Sequence, residues 1–159
     1  MKKIDNCLAL KNFNNLQRNH FEQRESVKRI LDANLNRCRE GLRVIEDSLR
    51  FVLNDEIFYK KIRSIRHDID KIFRNRYAEF MQKRNSHDDF GKWLMETSKK
   101  KMSDVIVSNF KRIQESLRVL EEYSKIFEPT VSICFKRERY AIYVMEKLVY
   151  LRYKNFLNI

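Results

Sequence analysis

From Val27 onward, apolar residues recur at steps of three and four: Leu31, Leu35, Cys38, Leu42, Ile45, Leu49, Val52. That spacing lays one stripe along a helix. Asn54-Asp55 interrupts it, and Asp55-Glu56 suits a new helix start, where carboxylates meet the positive end of the helix dipole. A second stripe of Phe58, Ile62, Ile65, Ile69, Ile72, Tyr77, Phe80 and Met81 predicts one helix as far as Met81. Periodicity fails from Asn85 to Gly91, a loop, and Trp93 to Met102 is ambiguous. A third helix is predicted from Ser103-Asp104, its cap, through Ile106, Phe110, Ile113, Leu117 and Leu120, with Pro129 ending it. The fourth runs from about Val131 to Phe156, with Tyr140, Val144, Leu148 and Leu151 on one side and its aromatic residues read as core. Residues 1–25 are polar, Asn-rich and weakly periodic, which predicts an N-terminal arm or a short helix. Residues 26–159 then form a single helical domain.

The polar positions carry a second pattern. Asn34, Arg37, Glu40, Leu42-Arg43-Val44-Ile45-Glu46-Asp47 returns as Asn109, Arg112, Glu115, Leu117-Arg118-Val119-Leu120-Glu121-Glu122, at a constant offset of 75 residues. A recurring apolar position needs only a helix that packs. Recurring Asn, Arg and Glu in fixed order imply one polar constellation built twice. The chain therefore reads as all-α: two related helical hairpins, about 27–84 and 103–156, joined as a four-helix bundle with a pseudo-twofold axis between the motif helices.

On a helical wheel with Asn34 at the origin, Leu35, Cys38, Leu42, Ile45 and Leu49 fall between about 20° and 100°. Asn34, Arg37, Glu40, Gly41, Val44 and Asp47 share the adjoining face, and Arg43, Glu46 and Arg50 take the other flank. Arg37–Glu40, Arg43–Glu46 and Glu46–Arg50 have the spacing of ordinary ion pairs along a helix. Two readings of the duplicated set stay open at this point. It is either a partly buried network at the hairpin interface, or a phosphate or metal site on the pseudo-axis.

Composition narrows the choice. The 159 residues include two glycines and one proline, too few turn formers for a strand-rich fold. The same scarcity excludes a Gly-rich phosphate loop or a dinucleotide fingerprint. A net charge of +12 attracts anions: phosphorylated metabolites, acidic membranes or nucleic acid. No apolar run approaches the ~18 residues of a membrane span, and the N-terminus has no apolar signal core, so a cytoplasmic protein with no membrane association is expected. Cys7, Cys38 and Cys134 are widely spaced, without Cys-x-x-Cys or zinc spacing. Arg63, Arg66, His67, Asp68 and Asp70 crowd one stretch, where His67 is either an acid, base or phosphate ligand or an ordinary surface histidine. Lys99-Lys100-Lys101 reads as a solvated connector rather than a nucleic-acid patch.

The run from Ala33 to Asp47, followed by Arg50-Phe51, closely resembles a small helical domain of bacterial thiamine biosynthesis. That domain is found alone or fused to the N-terminus of thiamine-phosphate synthases, and it is assigned as an alternative hydroxymethylpyrimidine-phosphate kinase. The resemblance covers about residues 27–153, including Arg66-His67, the second motif copy with Tyr123, and Arg139-Tyr140 with Glu146-Lys147. Two departures stand out. The family loop has Arg-Asp before Asp-Val-Gly, whereas this chain has Arg84-Asn85 and then Asp89-Phe90-Gly91, so Asp88 would have to replace the first aspartate. The synthase barrel, which needs about 250 residues, has no room here.

The resemblance implies transfer of phosphate from ATP to hydroxymethylpyrimidine phosphate, with Mg²⁺ held by Glu40, Glu115 or Asp89, which also become the catalytic candidates. Arg37 and Arg112 would grip phosphate near the pseudo-axis, Arg66, His67 and Arg84 would add a second anchor, and Asn34 and Asn109 would meet the aminopyrimidine edge. The expected partners are the phosphorylated pyrimidine and a separate thiamine-phosphate synthase, and a homodimer stays open. One alternative is a domain that binds the pyrimidine phosphate or docks on the synthase without catalysis. A third is a basic nucleic-acid binder.

Overall fold

The computed structural model describes residues 2–94 and 98–157, and every regular element among them is helical. Met95, Glu96 and Thr97 of the ambiguous stretch, and the last two residues, lie outside the described residues. The helices are α1 (Lys2–Asp47), α2 (Glu56–Ile72), α3 (Tyr77–Met81), α4 (Met102–Phe127) and α5 (Pro129–Leu157). α1 and α4 form the central pair; α2 covers α1, α5 covers α4, and α2 meets α5. The central pair is antiparallel. Ser26 and Ile30 lie beside Tyr123 and Ile126, whereas Gly41 lies beside Asn109 and Ile113.

The two halves build matching parts of one core. Leu42 and Leu117 are both fully buried, as are Cys38 with Ile113 and Ile45 with Leu120. Gly41 sits where the motif helices approach most closely. A Cβ there would lie 2.8 Å from Ile113 Cγ1 and 3.4 Å from the Asn109 carbonyl oxygen. Ile113 is itself fully buried and has little room to retreat. Overpacking a close-packed contact of this kind costs ~1–3 kcal/mol, so Gly41→Val is expected to lower unfolding stability by that amount, read by chemical denaturation.

Several boundaries differ from the sequence pattern. Residues 2–25 are neither an arm nor a separate short helix, because α1 runs unbroken from Lys2 to Asp47. The predicted second helix breaks at Phe73, whose backbone leaves the helical region (φ −116°, ψ 24°), and α3 resumes after one tight turn over Arg74–Arg76. Phe73 packs edge-on against Phe80 (5.0 Å between centroids) and Phe127 (6.2 Å), which fixes the break inside the core. Seven residues separate Phe73 from Phe80, about two helical turns, so the stripe keeps its phase and conceals the break. Pro129 ends α4 as expected, with Glu128 before it outside the helical region (φ −151°, ψ 85°), and it also opens α5, where its missing N–H leaves no bond unmade. Most consequentially, Tyr140, Val144, Leu148 and Leu151 face outward. The buried side of α5 is Phe135, Ile142, Met145 and Val149.

The cap at Asp55 is as expected. Its carboxylate accepts from Phe58 N–H at 2.9 Å and from the Tyr153 hydroxyl at 2.7 Å, tying the start of α2 to the end of α5. Before it, the chain widens by one residue per turn over Ser48–Val52, and Asn54 adopts the left-handed conformation (φ 49°) that asparagine tolerates.

Candidate functional site

The crossing of α1 and α4 leaves a cleft of about 610 Å³ along the pseudo-twofold axis. Its lining is the duplicated set itself: Asn34, Arg37, Glu40, Gly41 and Val44 from α1, and Asn109, Arg112, Glu115, Ser116 and Val119 from α4. Each pair is equivalent in environment as well as in sequence. Asn34 and Asn109 are buried at the floor, while Arg37, Arg112, Glu40 and Glu115 are exposed along the walls. Helical spacing explains this, since residues three apart share a face and the two motif helices present that face to each other.

The asparagines are pinned identically. Asn34 Nδ2 donates to the Ile30 carbonyl oxygen at 2.9 Å, and Asn109 Nδ2 donates to the Val105 oxygen at 2.8 Å. Each amide nitrogen therefore has a backbone partner one turn back, and each amide oxygen is the acceptor left to the cleft. Among the described residues, Arg37, Glu40 and Glu115 make no ion pair or hydrogen bond. The Arg37–Glu40 pair allowed by the spacing does not form. Unspent guanidinium and carboxylate groups thus border a polar floor, which suits an anion held by arginine and a cation held by carboxylate.

The other flank of each motif helix is paired internally. Glu46, 1% exposed, accepts from Arg66 Nε at 2.8 Å, Arg43 Nη1 at 3.2 Å and Arg63 Nη1 at 3.4 Å. Glu121 accepts from Arg139 Nη2 at 2.7 Å and Nε at 2.9 Å, and from Arg118 Nη1 at 3.0 Å. Burial pushes the Glu46 carboxyl up, but the Arg66 hydrogen bond and the charges of Arg66, Arg43 and Arg63 outweigh it and hold the group below the usual carboxylate range. Arg50, spaced to pair with Glu46, instead stacks over Phe51 and Tyr59.

Four of the sequence candidates do not line the cleft. Arg66 is committed to Glu46. His67 lies exposed on α2. Arg84 forms a two-point pair with the buried Asp32, both bonds at 2.7 Å, and fastens the end of the first hairpin to α1. Asp89 caps the turn at Phe90–Trp93, accepting from Gly91 N–H at 2.9 Å. Asp88, the substitute for the family aspartate, pairs with Asn85 in the same loop. Arg139 is the residue whose role the repeat conceals. It lies 18 positions after Glu121, whereas Arg66 lies 20 after Glu46, so a fixed offset does not align the two arginines.

Among the described residues no group of three or more metal-binding side chains occurs, and no helix is long and apolar enough to cross a membrane. Residues 29–148 match the model of the ThiD2 family. The thiamine-phosphate synthase of Nostoc punctiforme is 38% identical over 133 residues, which cover 79% of this chain and 37% of that protein. Those of Prochlorococcus marinus (39% over 123 residues, 76% of this chain and 34% of the relative) and Rhodopirellula baltica (38% over 123, 74% and 32%) behave alike. The chain thus spans about a third of the length of these curated relatives. No solved structure matches it significantly.

Proposed function

This chain belongs to the ThiD2 family of thiamine biosynthesis, and from that premise we propose that it phosphorylates hydroxymethylpyrimidine phosphate to the pyrophosphate, with ATP as donor and a separate thiamine-phosphate synthase as consumer of the product. One observation carries the reading. Asn, Arg and Glu are each placed twice around one cleft, with Arg37, Glu40 and Glu115 unspent on other protein groups. A phosphate oxygen of the pyrimidine substrate attacks the γ-phosphorus of ATP, the bridge to the β-phosphate breaks, and ADP leaves. Such a transfer is catalysed by positioning and by neutralising charge on the moving group.

The planar forks of Arg37 and Arg112 suit those oxygens, and no Gly-rich backbone is required. The free amide oxygens of Asn34 and Asn109 suit the exocyclic amine of the pyrimidine, which they would orient. The donor set fits Mg²⁺ as that ion is used with phosphates, through one or two carboxylates plus substrate oxygens and water rather than a protein cage. Glu40 and Glu115 would hold it; Asp89, spent on its own turn, would not. When bound, the ion supplies charge neutralisation between phosphates.

The test is purified protein with the pyrimidine phosphate, ATP and Mg²⁺, coupled to a separate synthase. ADP formation that depends on the pyrimidine phosphate is expected. Binding of the pyrimidine phosphate without ADP formation would overturn the kinase reading in favour of a non-catalytic binding domain.

A further inference from the structure

The outer face of α5 is apolar along its length. Ile133, Tyr140, Val144 and Leu151 are 65%, 55%, 58% and 54% exposed, and they fall within one narrow strip of the helix surface. Lys136 and Lys147 flank the strip, and neither has an ion-pair partner among the described residues. Arg137 lies on the opposite flank, held to Glu138 at 2.9 Å. The acids of α5 do not answer these charges outward: Glu138 is buried, and Glu146 accepts from Gln114.

Pseudo-symmetry shows that the fold does not need this ridge. Ile62, Arg66 and Ile69 of α2 play the parts of Phe135, Arg139 and Ile142 of α5, 73 positions later: the first and last are fully buried, and the arginines each hold a buried glutamate. At that offset the outer positions of α2 are Lys60, His67 and Lys71, where α5 has Ile133, Tyr140 and Val144. Equivalent places in one bundle are polar in one half and apolar in the other. An apolar strip that the fold does not require marks a contact surface.

We propose that the outer face of α5 docks a separate protein whose own apolar patch is rimmed by carboxylates, and that this protein is the synthase of the thiamine reading, on which the inference rests. Charge selects the class of occupant. A second copy would bring Lys136 and Lys147 against like charges in a chain already at +12, whereas an acidic rim would pair with them. Nucleic acid fits less well. Its phosphates cannot cover Ile133, Val144 and Leu151, and the two tyrosines are already engaged: Tyr140 and Tyr143 pack edge-to-face at 5.9 Å, with Arg139 donating to the Tyr143 hydroxyl. The relatives agree with a protein neighbour, since about two-thirds of each lies outside the matched segment.

Sedimentation velocity of the full chain mixed with a free-standing thiamine-phosphate synthase tests this. A complex is expected that weakens with salt, is lost in Val144→Asp, and is weakened about tenfold or more in the double variant Lys136→Glu, Lys147→Glu. All three positions are exposed, so melting curves should not change, and pyrimidine-phosphate titration of the same samples should match the parent chain. No complex, or one indifferent to Val144→Asp, overturns the docking proposal. So does a self-associated form, or binding to phosphatidylserine vesicles or to duplex DNA, that Val144→Asp abolishes. Loss of pyrimidine-phosphate binding by the parent chain would instead count against the thiamine reading, which keeps the two failures apart.

Discussion

Glu121→Ala is expected to cost ~3–5 kcal/mol of stability because it strands a buried arginine, and Glu46→Ala somewhat less because Arg66 keeps Asp70 at 3.8 Å. Arg139 is buried, and both of its bonds to carboxylate go to Glu121 Oε2. Removing that acceptor leaves a guanidinium with one hydrogen bond among the described residues, to the Tyr143 hydroxyl, and the faces of the Tyr140 and Tyr143 rings. Glu46 differs in having three arginines, of which Arg66 is the least exposed. Its depressed titration gives a second readout. A native carboxyl held below its unfolded value contributes stability that is complete above the unfolded pKa, roughly 4.3, and is lost as pH falls through the native one. Melting temperature should therefore drop on acidification below about pH 4.5, and Glu46→Gln should flatten that drop while lowering stability at neutral pH. Urea titrations at neutral pH and at low pH measure both effects. If Glu46→Ala melts like the parent chain yet no longer binds pyrimidine phosphate, the two flanks of the motif helix have been assigned the wrong way round.

The cleft was legible in the sequence because two signals coincide there. Helical phase placed Asn34, Arg37 and Glu40 on one face, and the 75-residue repeat said that a second helix carries the same face. Neither signal reports where a side chain on another element reaches. Arg66 and Arg84 look like spare cations in the sequence, and only packing shows them spent on Glu46 and Asp32. The Arg43–Glu46 pair, being local, was readable from spacing; the Arg139–Glu121 pair, spanning two helices, was not.

α5 shows another limit. It has two apolar stripes, Phe135, Ile142, Met145, Val149 and Ile133, Tyr140, Val144, Leu151, both at helical spacing. Periodicity identifies the helix from either stripe but cannot say which one faces the core; the side marked by Tyr140, Val144, Leu148 and Leu151 faces solvent. The Glu138 and Arg139 positions sharpen the lesson. Charged residues sit beside the inner stripe, yet Glu138 is buried and Arg139 is buried against Glu121. The N-terminal stretch misled in the opposite sense. A polar, weakly periodic segment can extend a helix already nucleated by the packed part of α1, because propagation is far less costly than nucleation.

Arg37→Lys and Arg112→Lys should each weaken pyrimidine-phosphate binding about ten- to a hundredfold, the range expected when one hydrogen bond to a charged group is lost. Lysine keeps the charge at either position but not the fork. The control is Lys100→Ala, which removes a cation from the exposed connector and should change affinity little, since a solvated charge of this kind is screened by salt. Turnover should suffer more than affinity. Charge builds on the transferred phosphoryl group in the transition state, and an arginine that meets it there can contribute about 10³–10⁵ in rate. A variant with modestly raised KM and kcat lowered about a thousandfold would assign the arginine to that step; a raised KM with kcat unchanged would make it a binding group. Titration calorimetry with the pyrimidine phosphate, alongside the coupled assay, separates these outcomes. The pseudo-twofold adds a further expectation. One substrate phosphate cannot sit identically against two equivalent arginines, so beyond the shared loss of affinity the loss in kcat should fall chiefly on one of the two substitutions. Equal small effects from Arg37→Lys, Arg112→Lys and Lys100→Ala would mean that the duplicated arginines contribute only to the bundle, and the kinase reading would lose its physical support.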